Sequence, residues 1–149
     1  MGKLHVCNYA ILKFLPYPET EEFANIGVVL CCPEISFFDY KIESLRLERI
    51  SGFFPDLKID VYSNGINELI AELKRVKLAS VHVEKLDITN LFAEITKPRE
   101  NVFCFSDIRT KLCLEPENEV GVLFSYYVSH MLVNCDQNNE SLTLVNNNS

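Results

Sequence analysis

Apolar residues in the first third of the chain form three runs that predict β-strands. The runs cover His5 to Leu15, Ala24 to Cys32 and Ile35 to Ile42. The second run is almost entirely apolar and rich in β-branched residues, which is typical of a strand buried on both faces. Only Pro33 and Glu34 separate it from the third run, so we expect these two strands to form an antiparallel hairpin.

The middle of the chain has the spacing of amphipathic helices, with apolar residues recurring every three or four positions. This spacing predicts a helix over Ile66 to Val76, and we expect either Asp60 or Asn64 to cap it. It predicts a second helix over Ile88 to Ile95, with Asp87 as its N-cap. The segment between the last predicted strand and these helices, Leu45 to Phe54, is ambiguous, with a short helix as one interpretation.

The C-terminal third predicts two short strands and a final helix. The strands cover Val102 to Phe105 and Ile108 to Leu114, and the helix is marked by the apolar stripe from Val120 to Met131. Pro116 suits the first turn of that helix, because a helix start leaves the first amides unpaired in any case.

Strands come first and helices later in this order, which favours an α+β fold over a doubly wound one. We expect a single domain over residues 1–134, with an antiparallel or mixed sheet of about four or five strands and about three helices packed on it. Residues 135–149 are rich in Asn and Ser. We expect them to form a disordered tail, because they can bury little apolar surface.

The composition narrows the classes of function. The chain has 149 residues and a net charge of −7, and this charge disfavours a general affinity for nucleic acid, which needs clustered Lys and Arg. The last third, residues 101–149, carries six acidic and two basic side chains. Such an end can steer a basic partner by long-range attraction, although it can also serve solubility alone.

The sequence has neither a secretory signal pattern nor a run of about 20 apolar residues, so we expect a cytoplasmic protein without membrane contact. Five of the six cysteines lie in apolar runs, where we expect free thiols that behave as small hydrophobic residues. The spacing of Cys and His matches no zinc site, and no nucleophile or phosphate-binding motif occurs. We therefore expect no metal, no cofactor and no catalytic residue.

The best candidate binding site lies around the loop between the first two strands. Its residues are Glu19, Glu21, Glu22, Asn25 and Gly27. Two prolines stiffen the loop, and a glycine within a buried strand often marks a bulge or a close approach by a ligand or another backbone. We expect a recognition surface here. The alternative is that Asn25 and Glu22 only hold the loop while Gly27 makes room for an aromatic neighbour.

Two further groups of basic residues stand out, and one of them is a candidate binding site. Arg46 and Arg49, near two phenylalanines in the ambiguous segment, are predicted to form a second binding face, because exposed aromatic patches mark partner surfaces. Lys74, Arg75 and Lys77 lie near the end of the first long helix, where the helix dipole alone explains their charge.

The N-terminal segment also resembles a known family. Tyr9 to Pro18 is followed by Glu22 to Leu30, and together they give a strand, a proline-containing acidic loop and a second strand with the pattern Glu-x-x-Asn-x-Gly-Val. This resembles the bacterial "domain of unknown function 3037" family, most strongly over residues 9–32. The resemblance implies a small cytosolic bacterial protein without an established reaction, with a kinase-like or toxin-like partner, and it supplies no catalytic residues.

Three functions follow as hypotheses. We expect a small acidic protein-binding module that regulates or inhibits a partner protein, as an antitoxin, an adaptor or an inhibitor does. The alternative is an enzyme of unknown reaction that uses Glu19, Glu22 and Asn25, which predicts a deep polar pocket around these side chains. The third is a structural subunit of a homo-oligomer.

Overall fold

The computed structural model describes residues 2–44, 46–82, 84–97 and 102–129. The strands in these ranges are β1 (His5–Phe14), β2 (Ala24–Cys32), β3 (Phe37–Ile42), β4 (Phe103–Phe105) and β5 (Arg109–Cys113). The α-helices are α1 (Leu47–Phe53), α2 (Ile59–Ser80), α3 (Lys85–Ile95) and α4 (Pro116–Phe124). Helix α4 continues into one π-helical turn over Ser125–Ser129, which we call the π turn. The predicted α+β class is confirmed.

The strands form one antiparallel sheet with β1 at its centre. Strand β2 lies between β1 and β3, and the predicted hairpin of β2 and β3 is confirmed. Strands β4 and β5 lie end to end along the other side of β1. Between them, the Ser106 amide donates to the Ile11 carbonyl at 2.8 Å, and the Ile11 amide donates to the Ser106 hydroxyl at 2.9 Å. The two short strands therefore act as one interrupted edge.

The sheet separates two apolar cores. Helices α1, α2 and α3 pack on one face, and α4 with the π turn packs on the other. The first core includes Leu12, Phe14, Tyr62, Ile66 and Phe92. The second includes Ile11, Val28, Leu30, Leu123 and Val128. Both faces of β2 are thus buried, as its nearly continuous apolar run predicts, whereas one face of β1 is covered only from Ala10 onwards.

A β-bulge interrupts the pairing of β1 with β2. Leu12 lies opposite Gly27 and Lys13 lies opposite Asn25, so Ile26 is an extra residue in β2. An extra residue reverses the alternation of side chains along a strand. Ile26 consequently packs in the first core, while Asn25 turns towards the π turn.

The predicted helix caps are wrong. Helix α2 begins at Ile59, so Asp60 lies in its first turn and Asn64 lies inside it. Helix α3 begins at Lys85, and Asp87 lies in its first turn. The apolar spacing marks only the buried stripe, and each helix extends beyond that stripe at its start. The two carboxylates still lie near the positive end of a helix, where the dipole favours them.

Some predictions fall on residues outside the described ranges. These are the end of the final helix at Met131 and the tail at 135–149. Among the described helices, none is both long enough and apolar enough to cross a membrane.

Candidate functional site

Strand β5 is the edge of the sheet that the helices leave most open. Within the described residues it pairs only with β1, with Val6 opposite Leu112. The outward backbone amides and carbonyls of such an edge strand are a template for pairing with another chain. A protein therefore either protects such an open edge from pairing with other chains or uses it to bind a partner.

Aliphatic side chains are exposed on both sides of this edge. Val6 and Leu112 alternate with the buried Cys7 and Cys113, and they are 50% and 57% exposed. Helices α1 to α3 cover the same sheet face only further along β1, from Ala10 onwards. The residues that share this exposure at the open corner are Leu4, Val6, Leu112, Leu114 and Val122, which we call the β5 patch.

A cleft of about 530 Å³ lies beside the β5 patch, between the end of β5 and the start of α4. Carboxylates border it, with Glu115 and Glu119 in its lining and Glu117 in the same helical turn. They suit this position because the helix dipole favours negative charge there. The Lys111 ammonium forms an ion pair with Glu119, which raises the pKa of Lys111. Glu115 and Glu117 are exposed, so the rim of the cleft is acidic.

The predicted carboxylates of the β1–β2 loop lie elsewhere, and Glu19, Glu21 and Glu22 are all exposed. The Thr20 hydroxyl donates to the Tyr17 carbonyl at 2.8 Å and accepts from the Glu22 amide at 3.2 Å. Glu21 has a left-handed backbone, with φ of 62°. The loop thus holds its own shape, and its carboxylates face solvent.

Asn25 and Gly27 have structural partners of their own. The Asn25 side-chain amide donates to the Tyr127 carbonyl in the π turn at 3.2 Å. A Cβ atom on Gly27 would lie 2.9 Å from Ile42 Cγ1 and 3.0 Å from the Lys41 carbonyl oxygen. Gly27 therefore permits the close approach of β3. The expectation that it makes room for an aromatic neighbour is wrong.

The two predicted arginines lie at the start of α1. Arg46 forms an ion pair with the buried Glu43 at 2.9 Å, and its guanidinium also donates to the Ser129 hydroxyl at 3.4 Å. Arg49 is half-buried. Phe54, one of the two phenylalanines expected beside them, is only 6% exposed and belongs to the first core. Arg46 therefore joins α1 to the π turn. Phe54 is not available to the predicted aromatic face, because it is buried.

A cluster that sequence reasoning missed ties the π turn to β5. Arg109 donates to the Tyr127 hydroxyl at 3.0 Å, and the hydroxyls of Tyr127 and Tyr9 are 3.4 Å apart. The hydrogen bond with Tyr9, helped by Arg109, holds the pKa of Tyr127 below its usual value. Burial raises the pKa of Tyr9. No sequence signal links Tyr9 with a residue so far along the chain.

Three buried thiols lie on the α4 face of the sheet, on three neighbouring strands. They belong to Cys32, Cys7 and Cys113, and burial raises the pKa of Cys7 and of Cys113. Thiols in such surroundings stay protonated and are unreactive. Among the described residues no group of His, Cys, Asp and Glu has the arrangement of a metal site.

Comparison with known families agrees with the N-terminal pattern and extends it. A family model described as "Protein of unknown function (DUF3037)" matches residues 9–128. The chain belongs to this family. The DUF3037 match runs from β1 into the π turn, so it includes the bulge, the edge strand β5 and helix α4. Neither a curated protein nor a solved structure gives a significant match.

Proposed function

We propose that this DUF3037 protein is a binding module that takes up an extended, basic segment of a partner protein along β5, and that it regulates or inhibits the partner in this way. The observation that carries the proposal is the β5 patch, whose five aliphatic side chains are each at least half exposed beside an open strand edge. Exposed apolar patches on a folded domain mark interaction sites.

The open edge suggests how the partner binds. In β-strand addition, main-chain hydrogen bonds provide affinity, and alternate side chains of the added strand enter pockets along the edge. Here the cleft at the end of β5, lined by Leu112 and Val122, offers a pocket for one such side chain. Covering each half-exposed aliphatic side chain would contribute roughly 1 kcal/mol.

The charges around the patch favour a basic partner over a second copy of this chain. Glu115 and Glu117 are exposed at the rim of the cleft. A two-fold contact through the same patch would bring these carboxylates near their own copies, and like charges disfavour such a contact. The homo-oligomer hypothesis is therefore the weaker candidate for this surface.

The enzyme alternative has less support. It predicts that Glu19, Glu22 and Asn25 enclose a deep polar pocket. Glu19 and Glu22 are exposed, whereas Asn25 is half-buried and donates to the π turn. The three side chains have different surroundings, and this favours binding over catalysis.

The compartment in which we propose that binding takes place is the bacterial cytoplasm. The cysteines that the structure describes are free thiols, four of them buried, and a reducing compartment keeps such thiols reduced. The family resemblance makes a kinase-like or toxin-like protein the first class of partner to test.

A peptide experiment tests the proposal without knowledge of the partner. The probe is a hexapeptide of alternating lysine and valine, and its control alternates glutamate and valine. We expect saturable binding of the basic peptide, and the neutral substitution Leu112→Gln should weaken it about fivefold, since a loss of about 1 kcal/mol has that effect. Leu78→Gln, which alters a residue of α2 that is 70% exposed, is the matched control and should leave the affinity for the peptide unchanged.

Two results would contradict the proposal. One is equal binding of the acidic and the basic peptide, which would remove the role of the glutamate rim. The other is equal binding by wild type and Leu112→Gln, which would place the peptide on another surface.

A further inference from the structure

A second cavity, of about 450 Å³, lies between β3 and the C-terminal end of α2. Its volume falls within the range of roughly 300–1,000 Å³ that is typical of small-molecule sites. Three aromatic residues of β3 line it, Phe37, the buried Phe38 and the half-buried Tyr40, and the ring centroids of Phe38 and Tyr40 are 6.3 Å apart. This edge of the sheet is opposite to β5, so the cavity is independent of the β5 patch.

The lip of this cavity is unusually apolar for a protein surface. Leu78 is 70% exposed and Val81 is 68% exposed, and both line the cavity at the end of α2. A single exposed leucine needs no explanation. Two such side chains beside an aromatic lining form a continuous apolar surface, which a hydrocarbon chain lying in the groove would shield from water.

Two lysines stand at the same cavity. The Lys77 ammonium lies 2.9 Å from an oxygen of Asp39, which fixes its position, and the exposed Lys74 lies one helical turn earlier. The helix dipole explains why cations are tolerated there. It does not explain why they border an apolar groove, in a chain whose net charge is −7.

We propose that this groove binds a small amphipathic anion, an aliphatic carboxylate of medium chain length. Its hydrocarbon chain lies against Phe38, Tyr40 and Leu78, and its carboxylate pairs with Lys74. Apolar walls with a few well-placed charged groups are the usual composition of a ligand site. This activity is separate from the proposed uptake of a partner strand at β5.

Decanoate is the probe for this proposal, used on the full chain well below its micellar concentration and followed by calorimetry and by amide chemical shifts. We expect saturable binding, with shifts confined to β3 and the end of α2. Lys74→Glu should weaken binding by at least about fivefold through charge repulsion. Leu78→Gln should also weaken it, whereas Lys58→Glu, at the opposite end of the same helix, should leave the affinity unchanged.

Decylammonium, with the same chain and the opposite charge, should bind more weakly than decanoate. The proposal is overturned if decanoate gives no saturable binding, or if wild type and Lys74→Glu bind it equally. It is also overturned if the amide shifts lie outside the groove. A failure of the hexapeptide to bind at β5 would leave all of these results unchanged, so the two proposals fail separately.

Discussion

The side chain of Asn25 in β2 is hydrogen-bonded to the main-chain carbonyl of Tyr127, 102 residues further along the chain, at 3.2 Å. The bulge at Ile26 makes this contact possible, because it turns Asn25 away from the first core and towards the π turn. Tyr127 in turn accepts a hydrogen bond from Arg109 at the start of β5. A chain of contacts thus links the segment that carries the family likeness to the edge strand proposed to bind a partner.

Replacing Asn25 with alanine should therefore destabilise the protein. The loss should be about 1 kcal/mol in the free energy of unfolding, the usual contribution of one such hydrogen bond. Urea denaturation measures it. Glu22→Gln in the exposed loop is the control and should change stability by less than about 0.5 kcal/mol. Equal effects of the two substitutions would show that Asn25 does not hold the π turn.

Two glycine substitutions should have opposite effects. Gly27→Ala places a methyl group 2.9 Å from Ile42 Cγ1 and 3.0 Å from the Lys41 carbonyl oxygen, so we expect a loss of about 1–3 kcal/mol from overpacking. Gly121→Ala in α4 meets nothing within 4 Å and should stabilise the protein by roughly 0.5–1 kcal/mol, because alanine favours helix. Thermal unfolding distinguishes them. A neutral Gly27→Ala would contradict the close approach of β3.

Part of this architecture can be predicted from the sequence, because it depends on residues that are close together along the chain. The strands and the buried stripes of the helices follow from apolar spacing. A glycine in a buried run indicates a bulge or a close approach by another group, and both occur at Gly27. The exposure of Val6 and Leu112 cannot be predicted, because it depends on where α1 to α3 end over the sheet. The Tyr9–Tyr127 contact likewise depends on tertiary structure alone.

Arg46 should matter for stability, because Glu43 is only 4% exposed and forms an ion pair with it. Removing one partner of a buried ion pair lowers the free energy of unfolding by about 3–5 kcal/mol. Because Arg46 is partly exposed, we expect the loss for Arg46→Met to lie at or below the lower end of that range. Adding Glu43→Gln should recover part of the loss, because a neutral amide costs less to bury than a carboxylate that has lost the Arg46 guanidinium. A double variant less stable than the single one would contradict this account of the pair.

The pH dependence of tyrosine absorbance should reveal the cluster at β5. The pKa of Tyr127 is lowered by its hydrogen bond with Tyr9, and Arg109 adds to the effect. Its phenol should therefore ionise below the usual tyrosine pKa of about 10. A phenol with a lower pKa in the folded state than in the unfolded state stabilises the fold when it is ionised. This stabilisation builds up as the pH rises from the folded-state pKa to the unfolded-state pKa, and it is absent below the folded-state pKa.

Tyr127→Phe should remove this early step from the titration at 295 nm, and Arg109→Gln should move it to higher pH. The raised pKa of Tyr9 has the opposite effect on stability, because it makes the fold less stable as the pH rises. The absorbance titration is therefore a better test than the pH dependence of stability. An unchanged first step in Tyr127→Phe would show that another tyrosine ionises early.

Amide hydrogen exchange along β5, with and without the lysine–valine hexapeptide, tests the proposed function most directly. An added strand must bond to outward-facing amides of Arg109–Cys113, so we predict slower exchange at alternate residues of β5 and no change along β3. Unchanged exchange in β5 with bound peptide, or protection that appears along β3 instead, would contradict the proposal that this edge is the binding site.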